Sequence, residues 1–191
     1  MSASPGVLGS MTVLLACMAC GSTAAPPPVT PPQPAPVTPP PSGSLAERGL
    51  AFVQNLRTAE DLAPAKIEAA FGLGGADPAH PDRYAAGRAL DATWIYNVET
   101  LDRTRLRISF DDQTHASADR TAVCTPDFEA HRAALTAAGF TAEEWLGEHQ
   151  RRLGWWFTRE STRITLEVRG ESNARVDHHC VSAIDVSVAA G

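Results

Sequence analysis

Trp94-Ile95-Tyr96-Asn97-Val98 and Leu106-Arg107-Ile108-Ser109-Phe110 each carry an apolar residue at every second position, with the polar run Glu99 to Thr104 between them. Successive side chains on an extended strand point to opposite faces, so period two over both runs predicts two half-buried strands. The short polar link predicts that they pair as a hairpin. Downstream, the same reading gives three more strands: Trp155 to Arg159, Arg163 to Arg169 with Ile164, Leu166 and Val168 inward, and Val181 to Val188.

Helix signals flank these strands. Ser44-Leu45-Ala46-Glu47 is a capping box, in which the Ser and Glu side chains satisfy the first free amides of a helix, and Leu45, Phe52, Val53 and Leu56 then share one face. Pro64 to Phe71 reads as a second helix, with proline in its first turn and Gly72 as its stop. Gly72 to Gly87 reads as a Gly-, Asp- and Pro-rich loop, and Asp111 to Thr121 as a polar one. Thr125-Pro126-Asp127 opens a further helix, with Phe128, Leu135 and Ala138 inward and Gly139 at its end. Thr141-Ala142-Glu143-Glu144 has the form of another capping box, before Trp145 and Leu146. The expected fold class is α+β: an antiparallel sheet of about five strands with helices packed on one face. Each half runs helices first and strands second, an order that allows two helix–hairpin units.

Charge is unevenly spread. The chain has 191 residues, 16 Lys plus Arg against 22 Asp plus Glu and a net charge of -6, yet Glu47 is the first charged residue. An acidic domain repels a phosphate backbone, so no nucleic-acid partner is expected. Lys66 is the single lysine in an Arg-rich chain, which reads as base composition of the source genome and not as function.

The uncharged front divides into an address and a spacer. Val7 to Ala19 is apolar or small, interrupted only by Cys17, and is shorter than the roughly 20 residues a spanning helix takes. It fits the core of an export signal, although Met1 to Gly6 lacks the usual positive charge. Leu14-Leu15-Ala16-Cys17 resembles the lipobox of bacterial lipoproteins, which implies acylation at Cys17; Cys20, after Met18-Ala19, is the alternative. Neither cysteine is followed by Asp, which by the same resemblance implies sorting to an outer membrane. Residues 1–20 are thus the expected signal and lipidation region. Residues 21–43 are an expected disordered spacer, since ten of the sixteen residues from Pro26 to Pro41 are proline. A polyproline II spacer at about 3.1 Å per residue reaches roughly 50 Å. Residues 44–191 form the expected globular domain.

The helix, helix, hairpin order behind a lipobox is similar to the small lipoprotein of the outer-membrane barrel-assembly machine and to the beta-lactamase-inhibitor fold, in which two such units can form one sheet. No sequence motif of either family is present, so no binding residue carries over from them.

Chemistry-bearing residues are few. Cys124 and Cys180 are the only domain cysteines, and in an exported chain a disulfide between them is the leading reading, closing a loop of roughly 55 residues and worth ~4 kcal/mol. Zinc is the alternative, because Asp177-His178-His179-Cys180 adds imidazoles, but adjacent strand residues face opposite ways and cannot both reach one ion without a bend. Asp111, Asp112, His115 and Asp119 share one polar loop that could house a base, yet no nucleophile motif accompanies them. His80, His131 and His149 read as surface residues. Trp155-Trp156, bracketed by Arg151, Arg152 and Arg159, is the candidate binding feature. One indole should enter the core and the other should lie on the outer face, either beneath a covering helix, the preferred reading, or exposed as a partner anchor.

The functional expectation is a non-catalytic, lipid-anchored envelope module that binds a protein partner as inhibitor, immunity factor or assembly accessory, in the periplasm or at the cell surface, without metal or cofactor. The rivals are a small metal-assisted envelope hydrolase and a peptidoglycan-attached structural lipoprotein.

Overall fold

Both alternating runs form strands, and six more strands join them. The computed structural model describes residues 42–115, 117–150 and 152–189. Along the chain run helices α1 (Leu45–Asn55) and α2 (Pro64–Phe71), then strands β1 (Ala76–Asp77), β2 (His80–Ala89), β3 (Trp94–Asp102) and β4 (Arg105–Asp112). Helix α3 (Phe128–Ala137) follows, then β5 (Thr141–Leu146), β6 (Arg152–Arg159), β7 (Thr162–Ser172) and β8 (Arg175–Val188). The strands make one antiparallel sheet in the order β1-β2-β3-β4-β8-β7-β6-β5. Each half is a four-strand meander led by helices, and the halves join where their last strands, β4 and β8, pair.

This corrects the expected fold class. The domain is dominated by an eight-stranded sheet with three short helices, in place of about five strands carrying helix–hairpin units. The missing strands are polar edge or near-edge strands. In β2, which takes in part of the expected Gly72 to Gly87 loop, Tyr84 is the one buried residue, so alternation is not readable there. The apparent capping box at Thr141 to Glu144 is instead the start of β5, paired along β6 from Thr141 opposite Thr158 to Leu146 opposite Arg152. Backbone pairing to β6 satisfies the amides that a helix cap would otherwise have to serve, and tertiary context overrides the local motif.

Register turns the alternation into a core. Val98, Ile108, Ile184, Leu166 and Trp155 lie side by side across five strands, and Thr100, Leu106, Val186, Ile164 and Phe157 form the next row. The aliphatic members of both rows are almost fully buried, each contributing about 1.5–3 kcal/mol through burial of apolar surface. The helices pack on this face: Phe71 of α2 lies 6.2 Å from Tyr96, and Phe128 of α3 lies 5.4 Å from Trp155.

The helix ends are set locally. Ser44 Oγ accepts from the Glu47 amide at 3.2 Å and Glu47 Oε2 accepts from the Ser44 amide at 2.7 Å, completing the capping box of α1. Gly72 ends α2 at φ 61°, a left-handed conformation that glycine adopts without steric cost. Asp127 caps α3, its Oδ1 accepting from the Ala130 amide at 2.8 Å, and Pro126 precedes the cap instead of entering the first turn. The C-terminal carbonyls of α1 and α3 converge on one side chain. Arg159 of β6 donates to Gln54 O at 3.2 Å, to Ala138 O at 2.7 Å and to Leu56 O, with its guanidinium 4.1 Å above the Phe140 ring.

Candidate functional site

Two features stand out, one on each side of the question of what the domain binds. The first is a staple. Cys124 and Cys180 form a disulfide that ties the segment entering α3 to the middle of β8. His178, two residues earlier on β8, lies beside it, with Nδ1 3.8 Å from Cys124 Sγ. His179 instead meets Phe128 edge-on at 6.5 Å, so the two neighbouring imidazoles do separate.

Two carboxylates hold the His178 ring. Glu171 Oε2 is 2.7 Å from Nδ1, and Asp127 Oδ2 is 3.0 Å from Nε2. With an acceptor at each nitrogen the imidazole is favoured as a cation, and the Glu171 contact, followed by Asp127, raises its pKa above the ordinary histidine range. Glu171 is nearly inaccessible at 3% exposure, and its carboxyl is held below its usual range chiefly by His178, with Thr121 Oγ1 donating to Oε1 at 2.9 Å and Arg175 Nη1 lying 2.5 Å from Oε2. Asp127 is lowered first by the Ala130 amide of its own cap and then by His178. Neither carboxylate partner was legible as such, since register and a helix cap bring them to His178. The Asn173-Ala174 turn, with Ser172 paired to Arg175 across it, brings Glu171 next to the start of β8.

The second feature lies on the sheet face away from the helices. Glu99, Arg107, Asp185, Thr165, Trp156 and Glu143 form one row across it, and Trp145 sits opposite Gly154 in the next. Trp145 stacks on Trp156 with centroids 5.9 Å apart and planes 16° from parallel. Arg163 reaches over the Trp156 ring at 5.6 Å from its centroid. Arg107 donates to both Asp185 oxygens, at 2.8 and 2.6 Å, and to Glu167 at 3.4 Å, so one cation is shared between two carboxylates at the centre of this face.

The Trp155–Trp156 expectation therefore divides. Trp155 faces the core and packs on Phe128, whereas Trp156 lies on the outer face with no described helix over it, which corrects the preferred reading of a helix on both faces. The bracketing arginines do other work than expected. Arg159 holds helix ends, Arg152 pairs with Glu144, and Arg151 lies outside the described residues. Trp145 and Arg163 were missed, the first because β5 read as a helix start.

The remaining candidates resolve into local structure. Asp111 Oδ2 accepts from Asn97 at 2.5 Å and Ser109 at 3.1 Å, Asp112 serves the Thr114 and Ser117 amides at 2.7 Å each, and Asp119 serves the Thr121 amide at 2.9 Å. With His115, Arg120 and Arg169, the first two line an open cleft of about 600 Å³. His80 pairs with Asp77 at 2.7 Å. His131 is a correction: it is buried in α3, 2% exposed, with Nδ1 2.8 Å from Asp127 O, and burial lowers its pKa. Cys17, Cys20 and the Pro26 to Pro41 spacer lie outside the described residues. No described helix is long and apolar enough to cross a membrane. No protein-family model matches the chain, and neither a curated protein nor a solved structure does.

Proposed function

We propose that this chain is an envelope lipoprotein, acylated at Cys17 or else at Cys20 and carried to the outer membrane, whose domain works as a non-catalytic protein-binding module in an inhibitory, immunity or assembly role. The observation that carries the reading is the outer sheet face, where the Trp145–Trp156 stack and Arg163 share a face with the Arg107–Asp185 ion pair while the described helices occupy the opposite face. Aromatic residues and arginine are the side chains most enriched where protein partners bind tightly. The Cys124–Cys180 disulfide supports maturation in an oxidising compartment, and the proline-rich segment supports reach from an anchor.

A photoreactive residue placed at Thr165 or Thr158 of the anchored protein, irradiated in its native envelope, tests the face. One protein adduct from these positions, absent from a probe at Glu129 on α3 and weakened by Trp156→Ala, is expected. Equal labelling from both sides of the sheet, or labelling insensitive to Trp156→Ala, sinks the proposal. Fatty-acid labelling that persists in Cys17→Ala but not in Cys20→Ala assigns the anchor to Cys20. A mature product that retains its first twenty residues and carries no acyl chain removes the anchor altogether.

A further inference from the structure

The ligand atoms of Cys124, Cys180 and His178 all lie within 4.8 Å of one another, and the Glu171 carboxylate, 3% exposed, stands 2.7 Å from His178 Nδ1. We propose that this cluster is a redox-gated zinc site: oxidised, it is the disulfide staple; reduced, it holds one zinc ion through Cys124 Sγ, Cys180 Sγ, His178 Nδ1 and Glu171 Oε2. The inference is independent of the anchor and of the outer face.

Tetrahedral zinc takes sulfur at about 2.3 Å and nitrogen or oxygen at about 2.0–2.2 Å, so its ligand atoms lie about 3.3–3.8 Å from one another. Cys124 Sγ and His178 Nδ1 are at that separation already, at 3.8 Å. Glu171 Oε2 has to withdraw from Nδ1 by roughly half an ångström, and the two sulfurs have to part once their bond is broken. The orientation of the ring is also supplied. Ligating histidines usually present their other ring nitrogen to a carboxylate, and Asp127 Oδ2, 3.0 Å from Nε2, stands there, itself fixed by its role as the cap of α3. Arg175, which now neutralises Glu171, is mostly exposed and free to swing into water when the metal takes over. His179 is excluded by its position on the other side of the strand.

The chemistry balances as two steps. A dithiol reductant delivers two electrons and two protons to the disulfide and leaves as its own cyclic disulfide, giving two protein thiols. Zinc then binds as the two thiols and His178 Nδ1 release their protons to solvent, while Nε2 keeps its proton toward Asp127. Four protein ligands leave no open position, so the ion is structural and would hold the α3 entrance on β8 in a reducing environment as the disulfide does in an oxidising one.

The test uses the full chain carrying Cys17→Ser and Cys20→Ser, so that only the domain thiols report. Cobalt stands in for zinc as an optical probe. Expected are a thiolate-to-cobalt charge-transfer band that saturates at one equivalent in the reduced chain, its loss on adding zinc, and no band in the oxidised chain. His178→Ala and Glu171→Gln should each weaken cobalt affinity at least tenfold, and Asp127→Asn about tenfold. Far-UV circular dichroism of the reduced, metal-free chain covers loss of fold. If reduction unfolds it, recovery of the sheet signal on adding one equivalent of metal supports the site, and failure to recover overturns it. A reduced, folded chain without the band, or a band indifferent to His178→Ala and Glu171→Gln, also overturns it.

Discussion

Replacing Arg159 by Met separates a structural arginine from a binding one. The guanidinium donates to carbonyls at the C-terminal ends of two helices, Gln54 O and Leu56 O beside α1 and Ala138 O at the end of α3, and covers the Phe140 ring. Hydrogen bonds to a charged group are worth about 1.5–3 kcal/mol each when water is excluded. Arg159 is only half-buried, so water replaces part of what the substitution removes and the lower end applies. Its cation also offsets two helix C-termini, each worth about 0.3–1 kcal/mol, a contribution that overlaps with the hydrogen bonds and is not added in full. The expected loss for Arg159→Met, which keeps much of the aliphatic stem, is about 2–4 kcal/mol. Arg159→Lys keeps the charge but not the fork, and should lose about half as much. Urea unfolding followed by tryptophan fluorescence measures both, read as a shift in midpoint at unchanged slope. If Arg159→Met leaves the midpoint within about 0.5 kcal/mol of the parent while crosslinking to the partner disappears, Arg159 belongs to the binding surface and the latch reasoning is wrong.

At Gly154 a β-carbon would stand 2.1 Å from Leu166 O and 3.1 Å from Leu166 C, both backbone atoms of the adjacent β7, so Gly154→Ala should cost about 3 kcal/mol. A thermal midpoint equal to the parent's counts against the close approach of β6 and β7. Trp155→Ala, opening a gap against Phe128 and the core, should cost about 3 kcal/mol, and Trp156→Ala, losing one outer-face ring stack, about 1 kcal/mol. Reversal of that order in urea unfolding would mean that the faces are misassigned. His131 is buried neutral with a lowered pKa, so as pH falls below about 6.5 the unfolded chain takes up a proton that the folded chain resists, and stability drops until the folded pKa is passed. His178 acts in the opposite sense, its raised pKa giving stability at low pH that fades as pH climbs through that raised value. The difference between parent and His131→Gln urea midpoints from pH 7.5 to 5 isolates the first effect. The parent should lose stability relative to the variant as pH falls, and parallel profiles refute the assignment.

The two halves of the sheet place the features far apart in kind. Rows built by register make the helix-facing side almost wholly apolar and leave the other side to Arg107, Asp185, Glu167 and the tryptophan pair. A sheet with one face spent on its own helices keeps the second for solvent or a partner, which is why Trp156 is available and Trp155 is not.

Elements whose cause lies within a few residues were legible from the chain alone. The Ser44–Glu47 box, Pro64 and Gly72 around α2, and the alternation of Trp94, Tyr96, Val98, Leu106, Ile108 and Phe110 all act through neighbours in the chain, by capping, fixed φ or face periodicity. The pairing of Cys124 with Cys180, 56 residues apart, was legible because they are the single pair of domain thiols, and the opposed directions of Trp155 and Trp156 follow from the pleat of a strand. Tertiary structure decided the rest. His80–Ala89 and Thr141–Leu146 are strands because β3 and β6 offer them backbone partners, and nothing in their own side chains demands it. Glu171 and Asp127 meet on His178 because a hairpin register and a helix cap converge there, and the inward tryptophan is Trp155 because the helices fold onto its side of the sheet. Hydrogen bonding between strands and packing between layers are contacts between distant parts of the chain, and no local pattern encodes which distant part arrives.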